Sequence, residues 1–156
     1  MRVRAARPED AVAMASVLNR IIEIGGTTAH EVAKTEADIR AHYIDGEGCV
    51  SCVVAEAEGA LIGWQAIGWW QGEAHIGSFV SPDIQAKGIG AALFALTLDL
   101  ARAAGLTEIH ASIRADNLPG RAYYARIGFV DYGRDAGFAL SDGRVVGRVL
   151  RRFDLA

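Results

Sequence analysis

The chain has 156 residues, of which 51% are hydrophobic and 22% charged, so we expect one globular domain over residues 1–156. Its 16 Lys and Arg side chains against 19 Asp and Glu give a formal net charge of −3. Without a basic surplus there is no general attraction for nucleic acid or an anionic membrane, and neither is expected as a partner.

The first half of the chain predicts a strand, two helices and three consecutive strands. Pro8 with the two acids after it suits the first turn of a helix, and Thr35 with Asp38 resembles a capping box that begins a second helix. The β-rich runs that follow are separated by short turns and predict an antiparallel meander. These elements are a strand at 2–5, helices at 8–24 and 35–44, and strands at 49–56, 61–70 and 73–80.

In the second half, a long helix with one apolar face follows the third meander strand and leads to another strand. A strand, a helix and a next strand form a βαβ crossover, so these two strands are predicted to be parallel within an otherwise antiparallel sheet. The expected fold class is therefore α+β, with a mixed sheet of about six or seven strands and about four helices. The remaining predicted elements are helices at 88–104 and 118–127, and strands at 108–113, 129–135 and 145–153.

Residues 80 to 90 predict a phosphate site at the start of the long helix. Gly88 and Gly90 lack side chains, so backbone N–H groups from about Lys87 to Ala91 can close on a phosphate while the helix dipole adds positive potential. The sequence contains neither a Walker-type phosphate loop nor a dinucleotide G-x-G-x-x-G. Taken alone, the two glycines fit either a phosphorylated ligand or close helix packing.

Two motifs in this half of the chain resemble those of a known family. Gln85-Ala86-Lys87-Gly88-Ile89-Gly90 resembles the [QR]-x-x-G-x-[GA] signature of the GNAT superfamily of acyl-CoA-dependent N-acetyltransferases. Residues 117–129 are similar to its next motif, N-x-x-[AS]-x-x-x-Y-x-x-x-G-F, with Gly120 where Ala or Ser is usual. The N-terminal half is also similar to the phosphinothricin and methionine-sulfoximine acetyltransferase branch, which commonly has Glu at the position of His75. That similarity lies in residues 4–10, 18–19 and 28–29.

The resemblance implies a GNAT-type twisted sheet whose central parallel strands splay to admit CoA. It implies an enzyme that moves the acetyl group from acetyl-CoA to the amine of a small molecule, such as an amino acid, phosphinothricin or methionine sulfoximine, by direct attack in a ternary complex. A catalytically silent acyl-CoA-binding module is the alternative. A dimer is common in the family, so a homodimer is also expected. The implied acetyl-CoA-binding residues are Phe79, Val80, Gln85, Ala86, Lys87, Gly88, Ile89, Gly90, Ala91, Asn117 and Tyr124.

Acetyl transfer to an amine needs a base for an alkylammonium of pKa about 10 and an acid for the departing thiolate. Tyr124 occupies the family's tyrosine position, where the resemblance implies that it protonates the thiolate; Tyr123, about 100° around the helix, is expected to pack. His75 is the candidate base because its ordinary pKa of about 6.5 lets it accept a proton at neutral pH. Glu73 shares its strand face and would orient His75 or attract a cationic amine. A strand histidine with no catalytic task remains the alternative.

Two further expectations concern metal and location. Cys49 and Cys52 form a C-x-x-C, but no second Cys or His pair completes a metal set, so no metal is expected. The N-terminus lacks the apolar region of a secretory signal, and no run approaches the roughly 18 apolar residues of a membrane span. A cytoplasmic protein without a membrane partner is therefore expected.

Overall fold

In the described part of the chain, seven strands form one sheet with helices on both faces. The computed structural model describes residues 1–84 and 87–155. The strands are β1 (Arg2–Ala5), β2 (Cys49–Ala57), β3 (Ala60–Trp70), β4 (Glu73–Val80), β5 (Glu108–Arg114), β6 (Val130–Ala139) and β7 (Val145–Asp154). The helices are α1 (Ala11–Ile24), α2 (Glu36–Ile39), α3 (Ile89–Ala103) and α4 (Leu118–Arg126), with a 3₁₀ turn at Pro8–Asp10 and a π-helical turn at Arg40–Ile44.

The strand order across the sheet is β1-β2-β3-β4-β5-β7-β6. Among the described residues every neighbouring pair is antiparallel except β4 and β5, which are parallel. The predicted mixed sheet with one central parallel pair is confirmed. No helix in the described part of the chain is long and apolar enough to cross a membrane.

β4 is held closely on one side and loosely on the other. It pairs with β3 from Glu73 to Val80, but within the described residues it meets β5 at one pair, His75 with His110. Beyond that pair the facing backbone edges of β4 and β5 are left without a strand partner, and backbone groups in such a position need another partner. The sheet therefore opens between its two central parallel strands.

Separate buried clusters hold the helices to the two faces of the sheet. Met14 of α1 and Ile39 of α2 pack against Trp64 of β3 on one face. Phe94 of α3 packs with Ile109 of β5 on the other. The gap between β4 and β5 thus lies between two helical layers that keep its position fixed.

The helix predicted at 35–44 differs in its conformation, and the strand predicted at 129–135 differs in its length. The capping box at Thr35 is confirmed, since its hydroxyl accepts from the Asp38 N–H at 3.1 Å, but the helix continues beyond Ile39 as a π turn. β6 runs to Ala139 instead of ending at 135, because Gly137 adopts φ 119° at a break in register and lets pairing with β7 resume. A Cβ on Gly137 would lie 2.4 Å from a β7 carbonyl oxygen, so the bulge requires glycine.

Trp64 connects the sheet to α1 by packing and by a hydrogen bond, and its replacement tests how much these contacts contribute to stability. Its side chain is fully buried, its indole N–H donates to the Met14 carbonyl at 3.0 Å, and its ring lies 4.5 Å from that of Phe79. We expect Trp64→Phe to lower the free energy of unfolding by about 2 kcal/mol, through lost packing and the lost hydrogen bond. Urea denaturation measures this; the half-exposed Trp69→Phe is the matched control, expected to change stability by less than about 0.5 kcal/mol. Equal effects would contradict the role given to Trp64.

Candidate active site

A cavity of about 900 Å³ opens where β4 and β5 diverge. Its walls come from these two strands, the first turn of α3, the start of α4 and the loop after α1. Gln85 and Ala86 lie outside the described residues, and Ala91 belongs to the first turn of α3 without lining the wall. The other residues expected to bind acetyl-CoA line it: Phe79, Val80, Lys87, Gly88, Ile89, Gly90, Asn117 and Tyr124.

The first turn of α3 presents backbone donors at one end of the cavity. Gly88 is the N-cap residue and adopts a left-handed conformation, with φ 83°, that side chains other than glycine rarely tolerate. Its carbonyl accepts the first helical bond, from the Ala92 N–H at 3.0 Å, and no side chain among the described residues caps the helix. The N–H groups of this turn, with Lys87 beside them, have the arrangement that the predicted anion site requires, and anion binding there stays a prediction.

Contact with Tyr123 explains why residue 90 is a glycine, and the sequence alone did not predict this contact. A Cβ there would lie 2.5 Å from Cε1 of Tyr123, and the Tyr123 hydroxyl donates to the Gly90 carbonyl at 2.9 Å. Tyr123 therefore packs as expected, and it forms part of the cavity wall. The centroid of its ring lies 5.0 Å from that of Tyr124. The missing side chain makes room for this tyrosine at the start of α3.

Tyr124 lies at the floor of the cavity, where its side chain is 8% exposed. Its hydroxyl lies 2.8 Å from Oγ of Ser78 on β4. Burial raises the pKa of the Tyr124 phenol well above its ordinary value, against a smaller opposing effect of the Ser78 hydrogen bond. The phenol is therefore protonated at neutral pH and has a proton to donate.

Gln65 is a buried polar side chain that supports both tyrosines. It lies on β3 opposite Ser78, and its Nε2 donates to Ser78 Oγ at 2.8 Å and to the Tyr123 hydroxyl at 2.9 Å. Neither Gln65 nor Ser78 was predicted from the sequence. The available signal was a single amide residue within an apolar central strand, since buried polar groups are rarely found without a partner.

Asn117 combines two structural roles at the cavity wall. Its Oδ1 accepts from the Gly120 N–H at 3.0 Å and caps α4, while its Nδ2 donates to the Thr27 carbonyl at 3.0 Å. A Cβ on residue 120 would lie 2.4 Å from Nδ2 of Asn117. The glycine that departs from the usual Ala or Ser thus leaves room for the capping amide.

His75 and Glu73 do not meet Tyr124 in the structure. Among the described residues that line the cavity, neither appears. The His75 ring lies 5.0 Å from that of Trp70 and 5.6 Å from that of His110, at the point where β4 and β5 still pair. Glu73 Oε2 lies 3.2 Å from His110 Nε2 and Oε1 lies 3.7 Å from His75 Nε2. A general-base role for His75 stays a prediction.

The described cluster of acidic and histidine side chains around His75 does not form a metal site. In the part of the chain that is described, no group of three or more His, Cys, Asp or Glu side chains has the arrangement to hold a metal ion.

Burial lowers the pKa of His75, with Glu73 opposing the shift. His75 is therefore neutral at pH 7, as it would be with or without a catalytic task.

His30 lines the cavity on the loop after α1. Its backbone N–H donates to Thr28 Oγ1 at 3.1 Å, and the Thr28 carbonyl accepts from Arg114 Nη1 at 3.0 Å, so the loop is fixed to β5. Burial is the main cause that lowers the pKa of His30, and Nε2 lies 3.3 Å from the Tyr43 hydroxyl. A neutral imidazole therefore faces the cavity at pH 7.

The described cavity wall carries four cations, Lys87, Arg114, Arg126 and Arg148, and contains no Asp or Glu. Arg114 is committed to a bidentate pair with Asp116 at 2.9 and 2.7 Å. Arg148 stacks over the Phe138 ring at 4.1 Å and has its carboxylate partner, Asp135, at 3.7 Å. The charge of the wall favours ligands with negative groups.

Comparison with known proteins agrees with this geometry. The Acetyltransferase (GNAT) family matches residues 18–129. A mycothiol acetyltransferase of Clavibacter michiganensis subsp. michiganensis is 40% identical over 82 residues, which cover 51% of this chain and 26% of that protein. The chain spans less than half the length of the three mycothiol acetyltransferases that it matches. The L-amino acid N-acyltransferase MnaT of Escherichia coli is 27% identical over 138 residues, covering 83% of this chain and 80% of MnaT.

A solved structure extends the likeness to the whole fold. The phosphinothricin acetyltransferase of Sinorhizobium meliloti, crystallised with AcCoA, superposes with a TM-score of 0.85 at 23% identity, covering 99% of this chain and 88% of that one. The predicted resemblance is confirmed at the level of the fold and the family. Because the family match covers more than half of its residues, the chain belongs to the acetyltransferase (GNAT) family.

Proposed function

We propose that this protein is an N-acetyltransferase that moves the acetyl group of acetyl-CoA to the amine of a small acceptor, by direct attack in a ternary complex. The observation that carries the proposal is a cavity lined both by the first turn of α3, whose backbone N–H groups and Lys87 suit an anion, and by the protonated Tyr124 phenol. The S. meliloti neighbour is described with AcCoA bound. We take residues 1–156 as the acetyltransferase unit.

The described residues fit acetyl-CoA along the length of the cavity. The first turn of α3 and Lys87 would hold the pyrophosphate, and the free edge of β4 at Phe79 and Val80 would pair with the pantetheine amides as an added strand does. The volume of about 900 Å³ is in the upper range of ligand sites. When bound, acetyl-CoA supplies an activated acetyl thioester; the protein supplies orientation and proton transfer.

Tyr124 is the proposed acid, and a catalytically silent CoA-binding module is the alternative. We expect the wild type to release thiol from acetyl-CoA with at least one amine in a panel of amino acids and their analogues. Tyr124→Phe should lower kcat roughly tenfold to a thousandfold and leave CoA affinity nearly intact, because a proton donor is lost and little volume. Tyr132→Phe removes a hydroxyl outside the cavity and is the control. Tight CoA binding without turnover on any amine would favour the silent module.

His30 is the proposed general base, with His75 as the competing candidate from the sequence. Support for His30 is its place on the cavity wall and its neutral imidazole; His75 has a neutral imidazole but no place on the described wall. A base there would take the ammonium proton of the acceptor directly or through water.

The two histidines are separated by their effect on the pH dependence of kcat/KM. Because burial lowers the pKa of His30, its neutral form persists below the ordinary value of about 6.5, and activity should decline only as pH falls beneath that value. His30→Gln should flatten this acidic limb, and His75→Gln should leave it in place. If His75→Gln flattens the limb and His30→Gln does not, His75 is the base. If the limb is unchanged in both variants, neither histidine is the base.

The charge of the wall supports an acceptor that carries a negative group near its amine, as an amino acid does. Four cations and no carboxylate among the described wall residues disfavour polyamines and aminoglycosides. Arg148 is the proposed carboxylate partner, because Asp135 at 3.7 Å leaves its guanidinium the capacity for a closer pair. The relative MnaT is named for L-amino acids.

Arg148→Gln tests this acceptor class. We expect KM for an amino acid to rise about tenfold to a hundredfold, from the loss of one charge-assisted bond, and KM for the corresponding amino acid amide to change little. Arg134→Gln makes the same change of charge on an exposed residue outside the wall and is the control. Equal effects of Arg148→Gln on the acid and its amide would contradict the assignment.

A homodimer and a cytoplasmic location complete the proposal. Both rest on the family resemblance and on the sequence, and sedimentation of the purified protein would measure the first.

A further inference from the structure

We propose that Gln65 and Ser78 are positioning residues that orient the hydroxyl proton of Tyr124 toward the cavity. The inference rests on the proposed acetyl transfer and concerns two residues that sequence reasoning did not find. It follows from a chain of hydrogen bonds that runs from the Gln65 amide through Ser78 Oγ to the Tyr124 hydroxyl, with both steps at 2.8 Å.

The donors in this chain can be assigned from one carbonyl group. The Gly90 carbonyl can only accept, so Tyr123 uses its single hydroxyl proton there, at 2.9 Å. The Tyr123 oxygen must then accept from Gln65, which requires the amide nitrogen, and not the amide oxygen, to face both hydroxyls. The second N–H of that nitrogen reaches Ser78. Ser78 is therefore an acceptor from Gln65 and keeps its own proton.

The geometry of the Ser78–Tyr124 hydrogen bond, at 2.8 Å, permits either hydroxyl to be the donor. We assign the donation to Ser78, whose proton is not used on Gln65, and this assignment determines where the Tyr124 proton points. When Ser78 donates to the Tyr124 oxygen, the phenol proton points away from Ser78 and into the cavity. On acid catalysis the phenol O–H bond breaks and an S–H bond forms on the departing thiolate, leaving a phenolate that accepts from Ser78. The proton released by the acceptor ammonium then restores the phenol through solvent, so no further reactant is needed.

Burial makes this support necessary. A phenolate at the buried position of Tyr124 is disfavoured by desolvation, and a hydrogen bond donated to it reduces that cost. Gln65 is fully buried, and its Oε1 has no hydrogen-bond partner among the described residues. Both N–H groups of the amide nitrogen are used, on Ser78 and on Tyr123, and this double donation accounts for an amide at a buried position.

The same amide joins the acid to the anion site. Through Tyr123, Gln65 is bonded to the Gly90 carbonyl in the first turn of α3. One side chain on β3 thus fixes the two tyrosines of α4 relative to the helix start that would hold the pyrophosphate. A loss of Gln65 should disturb Tyr124 without removing any cavity-lining group, since Gln65 does not belong to the described wall.

The first experiment needs no cosubstrate. The protein has four tyrosines, so labelling with ζ-¹³C tyrosine gives few resonances, and that of Tyr124 reports directly on its oxygen. We expect Ser78→Ala and Gln65→Met to shift the Tyr124 resonance in the free protein, Ser78→Thr to restore it, and the Tyr132 resonance to stay in place. Ser51→Ala, which removes a buried hydroxyl on β2 that has no partner in the described residues, is the control. An unmoved Tyr124 resonance in Ser78→Ala would overturn the inference.

The second experiment measures turnover of the same variants. Ser78→Ala should lower kcat about tenfold to a hundredfold with KM for acetyl-CoA unchanged, and Ser78→Thr should recover most of it. Full turnover in Ser78→Ala with a shifted resonance would overturn the positioning role and leave the proposed acetyl transfer intact. Absence of turnover in the wild type would instead refute the proposed function, while the resonance still decides whether Ser78 orients Tyr124.

Discussion

The site depends on one constraint in the described part of the chain, which is that β4 and β5 pair at a single residue position. A parallel pair that continued along both strands would leave no gap between them. Within the described residues β4 and β5 pair at His75 and His110, and beyond that point their backbone edges face each other without pairing. Helices packed on both faces hold these edges apart. Backbone groups in that position call for an extended polar partner, and the amides of a pantetheine arm have that chemistry.

Side-chain bonds that cross between elements build the site around this opening. Asn117 fixes the start of α4 to the loop after α1, and Arg114 fixes the same loop to β5. Gln65 connects β3 and β4 to α4, and through Tyr123 to α3. The described wall carries cations and no carboxylate. Arg114 and Arg148 have carboxylate partners outside the wall, Asp116 and Asp135. This charge supports the proposal that the cavity binds a phosphorylated cosubstrate and an acceptor with a negative group.

The features that the sequence predicted are local ones. Strand alternation, helix caps and the glycine pair at the start of α3 depend on neighbouring residues, and Tyr124 was found from motif spacing. The crossover rule also gave the direction of strand pairing, including the parallel pair, but the residue register and the extent of each pairing were not predicted from the sequence. Alternation gives the strand face of His75, but the place where β4 leaves β5 decides whether that face borders the cavity. The role of Gln65 requires the register that sets it opposite Ser78, and the small size of Gly90 and Gly120 reflects contacts with side chains distant in sequence.

Amide hydrogen exchange with and without CoA tests the central claim most directly. If the opening between β4 and β5 is the binding site, CoA will slow exchange at residues 77–80, whose backbone gains a partner, and at residues 88–91, whose N–H groups would meet the pyrophosphate. Exchange in the β6 and β7 hairpin should not change. Unchanged exchange at both segments under saturating CoA, or protection confined to other elements, would contradict the account.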